Sequence, residues 1–421
     1  MNILHINNYD TIGGATKSCM SIHNALKEEG YNSELLTQTK LSKAKEIYEF
    51  SDTTTKKISR FVRMGFDMAA IKLLTIADRG RFSFPYLGAD ISKHHKVLEA
   101  DIINLHWVNG GFFSISTLQK LKELNKPIVW TFHDMWAFTG GCHYTGGCLN
   151  YITECTNCPC LKKTGIHDYS NKIFLNKIKL FKDFNIHIIA CSNWLANETK
   201  RSALLNNKAI NMIPQPIDIN TYNSFDKIES RRLLNLDPNK KYILFGTMTL
   251  SDKRKGLLHL IRSLKKLGNF YANQKDNIEV LVFGSANKNE LIDIPFKTTS
   301  LGRISDTNFL AKIYSAADVF IAPSLEDNLP NTVMESLSCG TPVAAFNIGG
   351  MCDMIDHKSN GYLAAPESID DLTDGILWIL NDKDRLVELS KNARKKIVAN
   401  FTNKIVARQY VNLYNNILNN F

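Results

Sequence analysis

Asp327 and Glu335 stand with seven residues between them in the stretch LEDNLPNTVMES, and acids at that spacing bracket a place for a polar ligand. Carboxylates accept hydrogen bonds, so the pair suits sugar or ribose hydroxyls and not a phosphate. The segment between them suits the phosphate: Pro330 is a first-turn proline, and the helix it opens carries unpaired amides and about half a positive charge at its start. Upstream, Lys253-Arg254-Lys255 places three adjacent cations before Gly256, where a diphosphate could be held. A second reading needs no ligand: Glu335 complements the helix dipole, Asp327 caps the helix, and the cations are solvated. His133 follows an apolar run and heads His133-Asp134; its alternative is a strand-end histidine bonded to backbone. Cys142, Cys148, Cys155, Cys158 and Cys160 crowd into nineteen residues. Cys155-x2-Cys158 has the spacing of a tetrahedral thiolate site that Cys142 and Cys148 can complete around a structural zinc, with free thiols or another metal as the other readings.

These groups need a scaffold. Val319 to Pro323 and Pro342 to Phe346 are short unbroken apolar runs, the mark of buried parallel strands. The helix between them stops at Gly340. It sets Val333, Met334 and Leu337 on one face and Asn331, Thr332 and Glu335 on another, with Asn328 in the turn before it. Lys241 to Gly246 reads as the strand before the three cations, Gly256 to Leu267 as the helix after them, and Thr299 to Gly302 as a strand ending at Arg303. In the first half, Met1 to Asn7 is a strand, followed by a turn at Gly13-Gly14 and a helix running through Lys27. The turn lets backbone approach an anion, although a tight turn alone also accounts for it. Pro127 to Phe132 is the strand that ends at His133, and ligands of parallel sheets lie beyond such ends. Pro214-Gln215-Pro216 closes the first half. The expectation is an N-terminal domain over 1–214, with a basic insert at 53–88 and a cysteine-rich insert at 140–165. A second domain covers 215–400, and a terminal helix over 401–421 returns to the first.

At 421 residues, 44% hydrophobic and 22% charged, the chain suits two domains of ordinary size. No segment reaches the ~20 apolar residues that cross a bilayer. The chain opens on an apolar strand without a basic-then-apolar leader, so a cytoplasmic protein is expected, at the inner face of the membrane if it binds lipid. The net charge of +10 favours anionic partners, and no nucleic-acid-binding signature accompanies it. In the basic insert Lys56, Lys57, Arg60, Arg63, Lys72, Arg79 and Arg81 outnumber Asp67 and Asp78, interleaved with Phe61, Val62, Met64, Phe66 and Met68. Such a stretch either lies on an anionic membrane or forms helices whose bases face water.

The second half resembles the family-4 retaining glycosyltransferases of the GT-B type, in two-acid spacing from Asp327 to Glu335, in Cys339-Gly340-Thr341-Pro342-Val343 and in Gly349-Gly350. Thr131-Phe132-His133-Asp134, Gly13-Gly14, Lys255-Gly256 and Pro216-Ile217-Asp218 extend the likeness over both halves. Two departures stand out: the first acid is usually Glu, and Leu250 occupies the place of an Arg five positions before Lys255. The resemblance implies an α/β fold of two Rossmann-like, doubly wound parallel-sheet domains facing a cleft. It implies transfer of a hexosyl-type sugar from a UDP- or GDP-sugar to a glycan or lipid-linked acceptor, without a catalytic metal, in cell-envelope polysaccharide synthesis. Lys255, Arg254 and the Asn331-Thr332 helix start would hold the diphosphate, and Arg303 and Asn328 would be further donor-binding residues. Asp327 would meet the sugar, Glu335 the ribose, Gly14 the donor from the first domain, and His133 the reacting groups. A nucleotide-sugar epimerase on the same scaffold, or a silent scaffold protein of an envelope-assembly complex, are the alternatives.

Overall fold

The computed structural model describes residues 1–77, 80–272, 275–285 and 291–421; Asp78 and Arg79 of the basic insert lie outside them. The chain divides into two compact units, Met1–Pro216 together with Asn403–Phe421, and Ile217–Thr402. Each is a parallel α/β sheet, as the fold class required.

The first unit contains β1 (Asn2–Tyr9), β2 (Asn32–Thr39), β3 (Ile47–Glu49), β4 (Ile102–Leu105), β5 (Ile128–Phe132), β6 (Ile186–Ala190) and β7 (Ile210–Met212). They pair in the order β3-β2-β1-β4-β5-β6-β7, every ladder parallel. The sequences IINL and IVWTF of β4 and β5 are buried throughout, as strands covered on both faces must be. The chain runs outward from β1 to β3 and then restarts on the other side at β4, so the order reverses between β1 and β4, where ligands of open sheets bind. The helix Asn403–Asn419 belongs to this unit. It buries Val406, Ala407, Tyr410 and Tyr414 in one cluster with Ile22, Ala25 and Leu26 of the Gly14–Glu28 helix, and Tyr414 takes a 2.7 Å hydrogen bond from Asn104 of β4.

The second unit contains β8 (Lys241–Thr249), β9 (Ile278–Ser285), β10 (Lys297–Gly302), β11 (Val319–Ala322), β12 (Val343–Phe346) and β13 (Gly361–Ala364), in the order β10-β9-β8-β11-β12-β13. Its reversal falls between β8 and β11. The three-cation turn follows β8, and the Asp327 loop follows β11, so this topology alone sets them side by side.

The basic insert folds as one long helix, Thr54–Leu74, whose buried residues are Arg60, Arg63, Asp67 and Ala70. The expectation that the insert's bases face water or lipid fails for both arginines, because each finds partners inside the unit. Arg60 pairs with Glu49 at 2.6 Å, and Arg63 donates to the carbonyl of Gly111 at 2.8 Å and to Gln38 at 3.1 Å. Among the described residues no helix is long and apolar enough to cross a membrane.

Candidate active site

The second unit gathers its charges around Asp327. After β8 the chain makes a 3-10 turn, Lys253–Lys255, stapled by Asp252, whose carboxylate accepts from the amide of Arg254 at 3.1 Å. Gly256 ends the turn with φ of 74°, and a Cβ there would stand 1.8 Å from the carbonyl oxygen of Pro323. Only glycine lets this turn press against the end of β11. A 2.8 Å bond from the amide of Leu325 to the carbonyl of Arg254 fastens the two loops. Lys255 Nζ thereby reaches Asp327 Oδ2 at 2.5 Å, while Arg254 reaches Asp327 Oδ1 at 3.2 Å and the carbonyl of Glu326 at 2.8 Å. Asp327 is 6% exposed. Burial alone would raise its carboxyl, but the Lys255 and Arg254 charges outweigh that and hold it below the ordinary carboxylate value.

Gly349, at φ of 53°, lies under this acid: its Cβ position is 1.8 Å from the carbonyl oxygen of Asp327, and the amide of Gly350 donates to the same oxygen at 3.3 Å. Asn328 is buried beside it, its amide 3.1 Å from Asp327 Oδ1. Lys255 and Thr332 line one small pocket with Gly246, Ser324 and Pro330. The helix Asn331–Ser338 begins there, with Pro330 at its N-cap and no side chain capping it. Its positive end therefore shares a pocket with Lys255. Glu335 lies a turn deeper, 3% exposed, accepting the Tyr314 hydroxyl at 3.0 Å. Burial, reinforced by that carboxylate, pushes the Tyr314 phenol well up. The helix is buried from Val333 to Ser338, so Glu335 is packed away from the half-buried Asn331 and Thr332 that share its face in a helical projection. Arg303 is exposed beyond edge strand β10, and no hydrogen bond or ion pair among the described residues joins it to Lys255 or Asp327.

In the first unit, His133 follows β5 and belongs to a ladder of imidazoles. Its Nε2 is 3.0 Å from His106 Nδ1, and His106 Nε2 is 2.9 Å from His5 Nδ1. On the other side His133 Nδ1 faces Cys191 Sγ at 3.8 Å. Burial pushes the His133 imidazole down to about 4, so it is neutral at physiological pH. Asp134 pairs with His143 Nδ1 at 2.7 Å and accepts from the amide of Trp136 at 2.9 Å. Gly14 starts the helix after β1, with Gly13 (φ 100°) at the N-cap and no side-chain cap. His106, His5 and His143 escaped the sequence reading. His106 follows β4 just as His133 follows β5, and that strand-end position was the available signal.

The predicted cysteines line one cavity, and Cys160 joins Cys142, Cys148, Cys155 and Cys158 there. A bridge between Phe82 and Cys142, left-handed Gly146 and Gly147 before Cys148, and left-handed Asn157 inside Cys155-x2-Cys158 shape the loop. None of the nine cysteines, all of them described, is in a disulfide. Among the described residues, the trio of histidine, cysteine or carboxylate ligand atoms lying mutually within 4.8 Å is His5, Cys19 and His106; the cysteine quartet does not close to that spacing. Behind the loop, Lys177 is 1% exposed and donates to the carbonyls of Trp136 and Thr139, the latter at 3.0 Å.

With this geometry established, comparison with known proteins places the chain. Residues 226–396 match the family described as glycosyl transferases group 1, and residues 12–221 match glycosyltransferase family 4. The chain belongs to this glycosyltransferase family and has its two-domain GT-B fold. It is 24% identical to a putative colanic acid biosynthesis glycosyl transferase, WcaC, of Escherichia coli K12, over 99% of this chain and 100% of that one. An uncharacterized glycosyltransferase of Methanocaldococcus jannaschii is 28% identical over 53% of this chain and 56% of its own length. A Campylobacter jejuni N-acetylgalactosaminyltransferase acting on a diphospho-undecaprenol substrate is 24% identical over 44% and 50%. In fold, the chain is similar to sucrose-phosphate synthase of Thermosynechococcus elongatus (TM-score 0.71, 16% identity, 100% of both chains). It is also similar to Anabaena HepE in complex with UDP-glucose (TM-score 0.63, 15% identity, 99% and 100%).

Proposed function

We propose that this glycosyltransferase moves a hexosyl-type sugar, with retention of configuration, from a nucleotide-diphosphate sugar to a glycan or lipid-linked acceptor in cell-envelope polysaccharide synthesis at the cytoplasmic face of the membrane. The observation that carries the reading is the cluster of Lys255, Arg254 and Asp327 on the pocket where the Asn331–Ser338 helix begins. Two fixed cations and a helix start can take up the charge that develops on a departing diphosphate, so the step needs no catalytic metal. Asp327 meets the sugar and Glu335 the ribose, with Asn328 and Arg303 as further donor contacts; His133 supplies a neutral imidazole to the sugar, and Gly14 lets backbone approach the donor. The WcaC relative, the undecaprenol-dependent relative and the UDP-glucose-bound neighbour support a nucleotide-sugar donor and a lipid-linked acceptor. The test presents UDP-, GDP- and ADP-sugars with and without a polyprenyl-diphosphate sugar acceptor. Nucleotide should be released only with both substrates. Sugar interconversion without acceptor would instead indicate an epimerase, and inertness towards all donors a scaffold.

Cys142, Cys148, Cys155 and Cys158 are proposed to hold a structural zinc. The donor set has the right chemistry and surrounds one cavity, and its negative charge would favour the ammonium form of Lys177, which burial pushes down to about 7 and which donates to two carbonyls behind the loop. Because the sulfurs are more widely spaced than the ~3.8 Å that tetrahedral bonds of ~2.3 Å require, loading should contract the loop. Protein purified without chelator should carry about one zinc per chain; a clearly lower content in elemental analysis would leave these residues as thiols.

A further inference from the structure

The Thr54–Leu74 helix is inside out. Over its first four turns the buried face is polar: Arg60 is held by Glu49, Gln38 and Thr39, Arg63 by Gly111, Gln38 and Ser59, and Asp67 accepts from the amide of Phe84; only at the end do Ala70, Ile71 and Leu74 pack on an apolar cluster. Its outer face is apolar. Ile58, Phe61, Val62, Phe66, Met68 and Leu73 are each between 51% and 69% exposed. At 100° per residue these positions, with Gly65 and Ala69, fall within one stripe about 160° wide, and no exposed residue between Lys57 and Lys72 carries a charge. A contiguous patch of large apolar side chains on a soluble face marks something that covers it.

The charges at the ends of the stripe say what. Exposed Lys57 stands at its start. Exposed Lys72 stands at its end, joined by Lys162 and Lys163, since the amide of Lys162 bonds the carbonyl of Leu74 at 2.9 Å and its Nζ bonds the carbonyl of Lys72 at 2.7 Å. Exposed Asp52, just before the helix, is paired with Lys56. A second copy of the chain would bring like against like: antiparallel pairing sets Lys57 on Lys72, and parallel pairing sets each lysine on itself. Anionic headgroups meet lysines at both ends while acyl chains take the apolar residues between them, which is how interfacial helices bind.

We propose that the outer face of the Thr54–Leu74 helix is a membrane-docking surface that lies in the headgroup region of an anionic bilayer. The proposal deepens the functional reading by naming what brings the enzyme to a lipid-linked acceptor. It rests on that reading only for the acceptor, because the binding is measured without substrates.

The experiment floats the full chain with vesicles of equal parts phosphatidylglycerol and phosphatidylethanolamine, and with vesicles of phosphatidylcholine alone. Wild type should float with the anionic vesicles and stay behind with the neutral ones. The double variant Phe61→Ser/Phe66→Ser should lose binding by roughly tenfold or more. Lys57→Glu/Lys72→Glu should bind weakly, and raising salt to about 0.5 M should weaken the wild type but change this variant little. Circular-dichroism melts confirm folding, since all four side chains are exposed. No flotation of wild type, or equal flotation of the serine variant, overturns the proposal. So does a wild-type dimer in light scattering that the serine variant dissociates, which would assign the face to a second copy. A chain that binds vesicles but uses no nucleotide sugar would leave the docking surface standing and overturn only the catalytic reading.

Discussion

Replacing Lys255 with alanine is expected to lower kcat/KM for the donor about a hundredfold, equivalent to ~3 kcal/mol of lost transition-state stabilisation. Its ammonium is fixed by Asp327 at 2.5 Å and shares a pocket with Thr332, so it meets a diphosphate without having to reorganise. Water cannot substitute in a site where the neighbouring acid is almost sealed. Folding should suffer much less, because Asp327 keeps Arg254 at 3.2 Å. Steady-state kinetics together with a thermal melt separate the two effects. Lys255→Arg, which keeps the charge but alters its geometry, should fall between wild type and alanine. Unchanged donor turnover in Lys255→Ala would place the diphosphate elsewhere.

Gly349→Ala should be comparably harmful by a different route. The new Cβ would meet the carbonyl oxygen of Asp327 at 1.8 Å, and the residue would be held at a φ of 53° that alanine adopts with strain. Steric overpacking and the left-handed backbone together cost about 3 kcal/mol. Relief requires moving the backbone of Asp327, which carries its carboxylate away from Lys255 and Arg254. Stability and activity should therefore fall together. Gly302→Ala is the control: φ is 66° there, but nothing lies within 4 Å of the added carbon, so only ~1 kcal/mol is expected. Urea unfolding of both variants checks this. Equal destabilisation would mean that backbone strain alone is at work, and that Gly349 does not brace the acid.

Much of the second unit was legible because its determinants are local. Unbroken apolar runs gave β11 and β12, and Pro330 and Gly340 bounded the helix between them. The three cations and Asp327 lie 72 residues apart for Lys255, yet both sit at strand ends flanking a reversal in strand order, so topology joined them. Distant pairings were the illegible part. Nothing near Glu335 announces Tyr314 as its partner, and a helical projection sets Glu335 beside Thr332 although packing buries one and not the other. The Thr54–Leu74 helix shows the same limit more sharply. Arginine is read as a surface residue, but Glu49, Gln38 and the carbonyl of Gly111 satisfy Arg60 and Arg63 inside, and the apolar residues are turned out. Cys160, two residues past Cys158 and outside the predicted quartet, lines the same cavity.

The cysteine-rich loop and the end of that helix are sewn together. The amide of Ile76 bonds the carbonyl of Cys160 at 2.9 Å, the amide of Lys162 bonds the carbonyl of Leu74 at 2.9 Å, and Thr75 bridges Leu161. Neither segment can fray alone, since each supplies the other's backbone partners. The two should open as one cooperative unit, with the amides of Ile76 and Lys162 exchanging their hydrogens at a common rate. Any chemistry at the sulfurs is then felt as tension or slack along the helix, about four turns of which, from Ile58 to Leu73, carry the exposed apolar stripe.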